Sequence, residues 1–194
     1  MEIVVDNTIW MTLNTALAIF AVACGWMVIK AKSKIAKLIC GILWILFLPN
    51  TIYILSDIIH FIMQLNSAGN MTIIALSLQY LLLIAIGILT FVYGTYPLEV
   101  LLRLKRFKTT EIQLFIIMFN FVIIFGAFLG RIHRLNSWDV FTDTTKVIGS
   151  IKYTIFSVEA MLSIFALGLA VSLLYFLVRN ITIKLATGFS GIFR

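Results

Sequence analysis

Five long apolar runs constrain this chain more than any other feature of its sequence. They cover residues 9–29, 38–63, 71–95, 112–130 and 153–178. Each run can cross the hydrocarbon core of a bilayer, which is about 30 Å thick and needs roughly 20 helical residues. Because 194 residues leave little chain between five spans, the runs predict one polytopic domain over residues 1–194, an all-α bundle of five transmembrane helices.

Composition supports an integral membrane protein. The chain is 62% hydrophobic and only 12% charged, whereas soluble domains carry about twice that share of charged residues. Glu2 and Asp6 precede the first run, and no basic residue does, which is the opposite of a signal peptide. We therefore expect the first run to be retained as a span. Cys24 and Cys40 lie within spans and form no metal-binding motif.

The basic residues report topology. The formal net charge is +7, and its excess follows the first, third and fifth runs. Cytoplasmic loops of membrane proteins are rich in Lys and Arg, so this pattern predicts an external N-terminus and an internal C-terminus. It argues against nucleic acid as a partner. The residues concerned are Lys30, Lys32, Lys34, Lys37, Arg103, Lys105, Arg106, Lys108, Arg179, Lys184 and Arg194.

The second run contains Pro49 and an unusual set of polar residues. Pro49 predicts a kink in this span. At 100° per residue, the polar side chains share an arc of about 80° on one helix face. An ionised Asp at the bilayer centre costs roughly 2.5–3.5 kcal/mol on insertion scales, so such residues usually face protein or water and mark function. The stripe is Asn50, Tyr53, Asp57, His60 and Gln64.

A second polar region follows the fourth run, and the predicted topology puts it on the outer side together with the end of the second run. It contains His133, so both histidines of the chain are on that side. We predict an outward-facing pocket with Asp57, His60, His133 and Asp139 as catalytic candidates. Asp57 would orient His60 as an acid–base group, and the arginines would hold an anionic group. The substrate-binding candidates are Asn50, Tyr53, Arg131, Arg134, Asn136, Trp138 and Glu159.

The same residues allow other readings. Asp57 could pair with Arg131 or Arg134 for stability alone, because a buried charge needs a partner. His60, His133, Asp57 and Asp139 offer ligands for a divalent metal such as zinc or manganese, although no compact ligand motif is present. Glu99 and Arg103 are four residues apart and predict a solvated helical ion pair of small value.

Two blocks of sequence resemble a known family when taken together. One is Leu48-Pro49-Asn50-Thr51 with Tyr53, Asp57 and His60, and the other is Asn136-Ser137-Trp138-Asp139. They are similar to an uncharacterised family of bacterial multi-pass membrane proteins, domain of unknown function 1361. The resemblance covers nearly the whole chain, implies that the blocks form one outward-facing site in a bacterial plasma membrane, and brings no activity with it. Leu135 stands beside Asn136 where an aromatic residue is frequent in the family, so no role is carried over to position 135.

Three functions remain open from the sequence. The first is a membrane-embedded enzyme acting on a lipid-linked or cell-envelope precursor. The second is a proton-coupled transporter or a substrate-binding membrane subunit that uses Asp57 and His60 as a relay. The third is a non-catalytic subunit that packs against another membrane protein. All three functions require that the protein be embedded in a lipid bilayer.

Overall fold

The computed structural model describes the backbone of residues 2–65 and 69–190 and the side chains of residues 3–65 and 69–181. Over these ranges the chain forms helices and no strand. Arg194 and the side chain of Lys184, two of the basic groups used to predict topology, lie outside the described residues.

The helices of the first half are α1 (Glu2–Lys30), α2 (Lys34–Phe47), α3 (Asn50–Ser56), α4 (Ile58–Leu65) and α5 (Asn70–Leu104). The second half continues with α6 (Thr109–His133), α7 (Asp139–Thr142), α8 (Thr144–Phe156) and α9 (Val158–Ser190). Helices α2, α3 and α4 follow one another with only one- or two-residue interruptions, and together they form the second predicted span.

Among the residues that the structure describes, five helical segments are long and apolar enough to cross a membrane. They are Ile3–Lys30, Lys34–Leu65, Asn70–Leu104, Thr109–His133 and Val158–Ile181. Large apolar side chains such as Leu81, Leu114 and Leu173 are more than half exposed on these helices. A surface of this kind needs hydrocarbon around it, so the prediction of an all-α membrane protein with five spans is confirmed.

Two compact units divide the chain within α5, Met1–Gly94 and Thr95–Arg194. In the first unit, α1 packs against α2 and α3. Its core contains Met11, Ala18, Ile54, Leu76, Tyr80 and Leu83.

The second unit is built on α6 and α9. The helices approach so closely that a Cβ on Gly168 would lie 2.6 Å from the ring of Phe121. The fully buried Asn120 donates to the Ser172 hydroxyl at 3.1 Å, and Ser172 donates to the Gly168 carbonyl at 2.7 Å. Small residues and interhelical hydrogen bonds of this kind stabilise helix pairs in lipid.

The fifth span begins later than the sequence predicts. The predicted run starts at residue 153, but α8 ends at Phe156 and α9 starts at Val158. Ser157 between them is extended, with φ −87° and ψ 112°, and its hydroxyl accepts from the Ala160 N–H, as a helix N-cap does. Hydropathy alone could not find this boundary, because apolar residues continue across it.

Candidate functional site

The second span is interrupted at Pro49, and its neighbours repair the backbone. The Thr51 N–H bonds to the Leu48 carbonyl at 3.0 Å, one residue short of the regular helical pattern. The Phe47 carbonyl, which Thr51 would otherwise bond, accepts from the Asn50 side-chain amide at 2.8 Å. The Thr51 hydroxyl also donates to the Leu48 carbonyl at 2.8 Å. Asn50 therefore has a backbone partner of its own, and Leu48 and Pro49 both keep right-handed helical conformation.

Asp57 lies between α3 and α4, at a second point where the span makes a hydrogen bond three residues along instead of four. Its N–H bonds to the Tyr53 carbonyl at 3.0 Å, and its own carbonyl accepts from the His60 N–H at 2.9 Å, three residues on. The residue is only 1% exposed, and its carboxyl group interacts electrostatically with the Tyr80 hydroxyl. A carboxyl group so enclosed in a membrane span is the feature that most strongly marks a functional position in the first unit.

The outer end of this unit, by the predicted topology, carries a network of amide side chains. Asn7 and Gln64 exchange two hydrogen bonds, of 2.8 and 3.0 Å. The Trp10 ring N–H donates to Asn7 at 3.3 Å, and the Tyr80 hydroxyl donates to Gln64 at 3.4 Å. Gln64 thus belongs to a polar cluster, as its place on the stripe predicts, but the stripe does not predict its main partner, Asn7.

His60 lies on the exposed face of α4. Its ring centroid is 6.0 Å from that of Trp10, with the rings tilted by 58°. Tyr53 is half-buried in α3, and its carbonyl accepts from the Ser56 hydroxyl as well as from Asp57. His60 is therefore accessible while Asp57 is enclosed.

In the second unit, His133 is the last residue of α6 and borders an open groove. Its Nε2 atom lies 3.0 Å from the hydroxyl of the fully buried Thr154, and its ring stacks edge-on with Tyr153 at 5.5 Å. The direction of the bond depends on which ring nitrogen carries the proton. The groove encloses about 420 Å³ and is lined by Ile132, His133, Gly149, Ser150 and Tyr153. A fixed imidazole beside open space is suited to acid–base chemistry.

The turn after His133 shapes the rest of the predicted outer site. Arg134 ends α6 in left-handed conformation, with φ 52° and ψ 43°. The Asp139 carboxylate accepts from the Asn136 N–H at 2.8 Å, and the Asp139 N–H bonds back to the Asn136 carbonyl at 3.0 Å. The structure therefore brings Asn136 and Asp139 together. Asp139 is buried, and the neighbouring Trp138 is exposed.

Arg131 and Glu159 are exposed, in the last turn of α6 and the first turn of α9. The hydrogen bond described at Glu159 is made by its backbone carbonyl, which accepts from Ser163 at 2.9 Å. Across the described residues, no three His, Cys, Asp or Glu side chains gather closely enough to share a metal ion.

The strongest ionic cluster in the second unit involves Glu99, and here the sequence-based expectation is wrong. Glu99 is 2% exposed rather than solvated. One carboxylate oxygen accepts from Arg103 at 2.6 and 3.0 Å, and the other accepts from Tyr175 at 2.9 Å and Arg179 at 2.7 Å. Tyr175 and Arg179 come from α9, far along the chain, so the i, i+4 spacing of Glu99 and Arg103 could not reveal them.

Comparison with known families identifies the group to which these features belong. The family described as "Protein of unknown function (DUF1361)" matches residues 13–175. The chain belongs to the DUF1361 family. The family prediction from the two sequence blocks is thereby confirmed. No curated protein and no solved structure matches the chain.

The DUF1361 match contains Asp57, the Glu99 cluster up to Tyr175 and the His133 groove, while Asn7 and Arg179 lie outside it. The sequence analysis did not identify three residues that bond to the polar groups above: Asn7 with Gln64, Thr154 with His133, and Tyr175 with Glu99. A signal exists for two of them. Asn7 and Trp10 are one helical turn apart at the start of the first span, and Tyr175 and Arg179 repeat on α9 the four-residue spacing of Glu99 and Arg103.

Proposed function

We propose that this DUF1361 protein is a membrane-embedded enzyme acting on the head group of a lipid-linked or cell-envelope precursor at the outer face of a bacterial plasma membrane. The observation that carries the proposal is the His133 groove. An imidazole bonded to buried Thr154 borders about 420 Å³ of open space at the end of a membrane span. Head groups of membrane substrates lie at that depth.

The distribution of basic residues supports placing the His133 groove on the outer side of the membrane. The short connection between α1 and α2 contains Lys32, and the connection between α5 and α6 contains Lys105, Arg106 and Lys108. With these connections in the cytoplasm, successive spans put the C-terminal end of α6, and with it His133, on the outside. The end of α4 is on the same side, with Gln64 in its last turn.

In this mechanism His133 transfers the proton at the reacting group, because an imidazole ring has one nitrogen that can donate a proton and one that can accept it. Arg131 and Arg134, which flank His133 in sequence, hold a phosphate or carboxylate of the substrate through their guanidinium groups. Asp57, which is buried, and His60, which is exposed on α4, are the acid–base candidates of the first unit. Asp139 maintains the turn that carries Asn136 and Trp138 and provides a further carboxylate.

The test compares lipids and envelope precursors by untargeted mass spectrometry in cells that lack the gene and carry wild type or a variant. The variants are Asp57→Asn and His133→Gln, which preserve side-chain size while removing the ionisable group. Lys152→Gln is the matched control, because Lys152 is exposed on α8 and does not line the groove. Membrane abundance of each variant is measured in parallel.

We expect one molecular species to accumulate in the deletion strain and with both site variants, and to return to normal with wild type and Lys152→Gln. Accumulation with normal protein abundance identifies the substrate class. Unchanged profiles with every variant present at normal abundance would contradict an enzyme of lipids. That result would favour the proton-coupled transporter, whose uptake in proteoliposomes depends on pH, or a non-catalytic subunit recovered with a partner protein.

A further inference from the structure

The connection between α6 and α9 contains more helix than the sequence predicts. It covers residues 134–157 and contains α7 and α8. Helix α8 has 13 residues, so it is about 20 Å long at 1.5 Å per residue. That length is too short to cross a core of about 30 Å. The helix therefore stays on the side of the membrane where α6 ends and α9 begins.

This connection exposes four aromatic side chains. Trp138 is 45% exposed, Phe141 69%, Tyr153 67% and Phe156 85%. Tryptophan and tyrosine concentrate at the boundary between head groups and hydrocarbon, where their rings are partly desolvated. In water, four such rings within one short connection would form an unusually apolar surface.

One edge of α8 carries two exposed isoleucines, with the exposed Lys152 beside them. Ile148 and Ile155, 49% and 53% exposed, are seven residues apart and so lie on the same face, two helical turns from each other. Another side of α8 packs against the protein, because Thr154 is fully buried and bonded to His133. The exposed apolar surface continues on α9 with Val158 and Leu162, which the hydrocarbon of the bilayer covers.

We propose that α8 is an interfacial helix whose Ile148–Ile155 edge is inserted into the adjacent leaflet. The occupant of this surface is lipid, because the edge is continuous with the lipid-facing side of α9. Helix α8 has two exposed lysines, Lys146 and Lys152, and no acidic residue. Lysines at this depth extend their ammonium groups to the phosphates, which suits an anionic lipid surface.

This placement of α8 also limits the class of substrate that can reach His133, an inference that rests on the proposed function. Gly149, Ser150 and Tyr153 of α8 form one wall of the His133 groove. If α8 is inserted at the interface, the groove opens among head groups instead of bulk water. The substrate is then an amphiphile whose tail remains in the leaflet while its polar head reaches His133.

The experiment measures depth directly, without any activity. In a background of Cys24→Ala and Cys40→Ala, single cysteines replace Ile148 or Ile155 and carry a nitroxide spin label. Lys146→Cys is the matched control, because two residues along a helix turn it about 160° away from Ile148. Leu162→Cys on α9 gives the reference for lipid. The full-length protein is studied in nanodiscs of phosphatidylethanolamine and phosphatidylglycerol.

Oxygen dissolves in hydrocarbon, and a water-soluble nickel chelate does not enter it. We expect the ratio of oxygen to nickel accessibility at positions 148 and 155 to match Leu162→Cys and to exceed Lys146→Cys several-fold. Nickel accessibility at 148 and 155 equal to that of Lys146→Cys would overturn the proposal. Protection from both reagents would overturn it as well, because it would show a protein partner or a second copy on this edge.

The two proposals fail separately. Lipid accessibility at positions 148 and 155 together with unchanged precursor profiles would retain the interfacial helix and reject the enzyme. Accumulation of a precursor with α8 in water would retain the enzyme and reject a groove that opens among head groups.

Discussion

Two arginines have left-handed backbone conformation, which costs an L-residue other than glycine roughly 1–2 kcal/mol. They are Arg134 at the end of α6, with φ 52°, and Arg106 after α5, with φ 61°. Only Arg134 belongs to the proposed site. A strained residue in a functional position suggests that its side chain is needed there.

We therefore expect Arg134→Gly and Arg106→Gly each to raise the free energy of unfolding by about 0.5–1 kcal/mol, since glycine adopts this conformation without the steric cost. Arg134→Gly should fail to restore the precursor profile, whereas Arg106→Gly should restore it fully. Unfolding in detergent tests the predicted change in stability, and the precursor profile tests the predicted loss of function. Equal restoration by both variants would remove Arg134 from the site.

Asn50 is both a predicted substrate-binding residue and a donor to the backbone at Pro49. Its amide bonds to the Phe47 carbonyl, whose regular partner Thr51 is bonded to Leu48 instead. Ser56 makes a similar bond to the Tyr53 carbonyl, but that carbonyl also accepts from the Asp57 N–H.

Asn50→Ala should thus lower the free energy of unfolding by about 1 kcal/mol or more, the cost of leaving a part-buried acceptor without its donor. Ser56→Ala should change it by less than about 0.5 kcal/mol, because Tyr53 keeps its backbone donor. Thermal unfolding in detergent distinguishes them. Equal effects would show that the Phe47 carbonyl does not depend on Asn50.

At the scale of single residues, the sequence shows which side chains are out of place in a membrane but not which other groups meet them. Asp57 stands out in its span because of its charge, and it is buried as expected. The partners of Asn7 and Tyr175 could not be predicted, because Gln64 and Glu99 are 57 and 76 residues away. Such partners depend on helix packing, which hydropathy does not encode.

At the scale of elements, the Glu99 cluster joins α5 to α9 within the second unit. The Glu99 side chain is 3% exposed and that of Arg179 17%, while that of Arg103 is 51% exposed. Removing the carboxylate leaves the part-buried Arg179 cation without the counter-charge of Glu99, which is the costly way to break an ion pair of this kind.

Glu99→Gln should lower the free energy of unfolding by about 3–5 kcal/mol, the range for a broken buried pair. Glu111→Gln is the matched control. Glu111 caps α6 through the exposed Lys108 N–H at 2.7 Å, and the amide oxygen of Gln can accept the same bond. Denaturation of the purified protein in mixed micelles measures both. A Glu99→Gln protein as stable as Glu111→Gln would show that the cluster does not hold α5 to α9.

Elements differ in how well the sequence predicts them. The five spans are predictable because crossing a bilayer requires about 20 apolar residues in any context. Helix α8 is not, because its last turn, residues 153–156, belongs to the same apolar run as the start of α9. The boundary depends on one extended residue, Ser157, whose hydroxyl caps α9. A serine before an acidic first turn is a capping signal, but a common one.

At the scale of the whole molecule, orientation determines which leaflet the proposed enzyme serves. The sequence predicts it from charge alone, since helix packing is compatible with either direction of insertion. Eleven basic residues follow the first, third and fifth apolar runs of the sequence. This distribution predicts that the connections α1–α2 and α5–α6 are cytoplasmic and that α8 is external.

Single cysteines in a background of Cys24→Ala and Cys40→Ala test this orientation in intact cells with a membrane-impermeant maleimide. Thr145→Cys on α8 should react at once, whereas Ser33→Cys before α2 should react only after the cells are lysed. Thr109→Cys, at the start of α6, is the internal control and should behave like Ser33→Cys. All three residues are exposed in the structure, so differences in labelling report the side of the membrane. The reverse pattern would put the His133 groove in the cytoplasmic leaflet, and the substrate would then be a precursor on its way to export instead of one already outside.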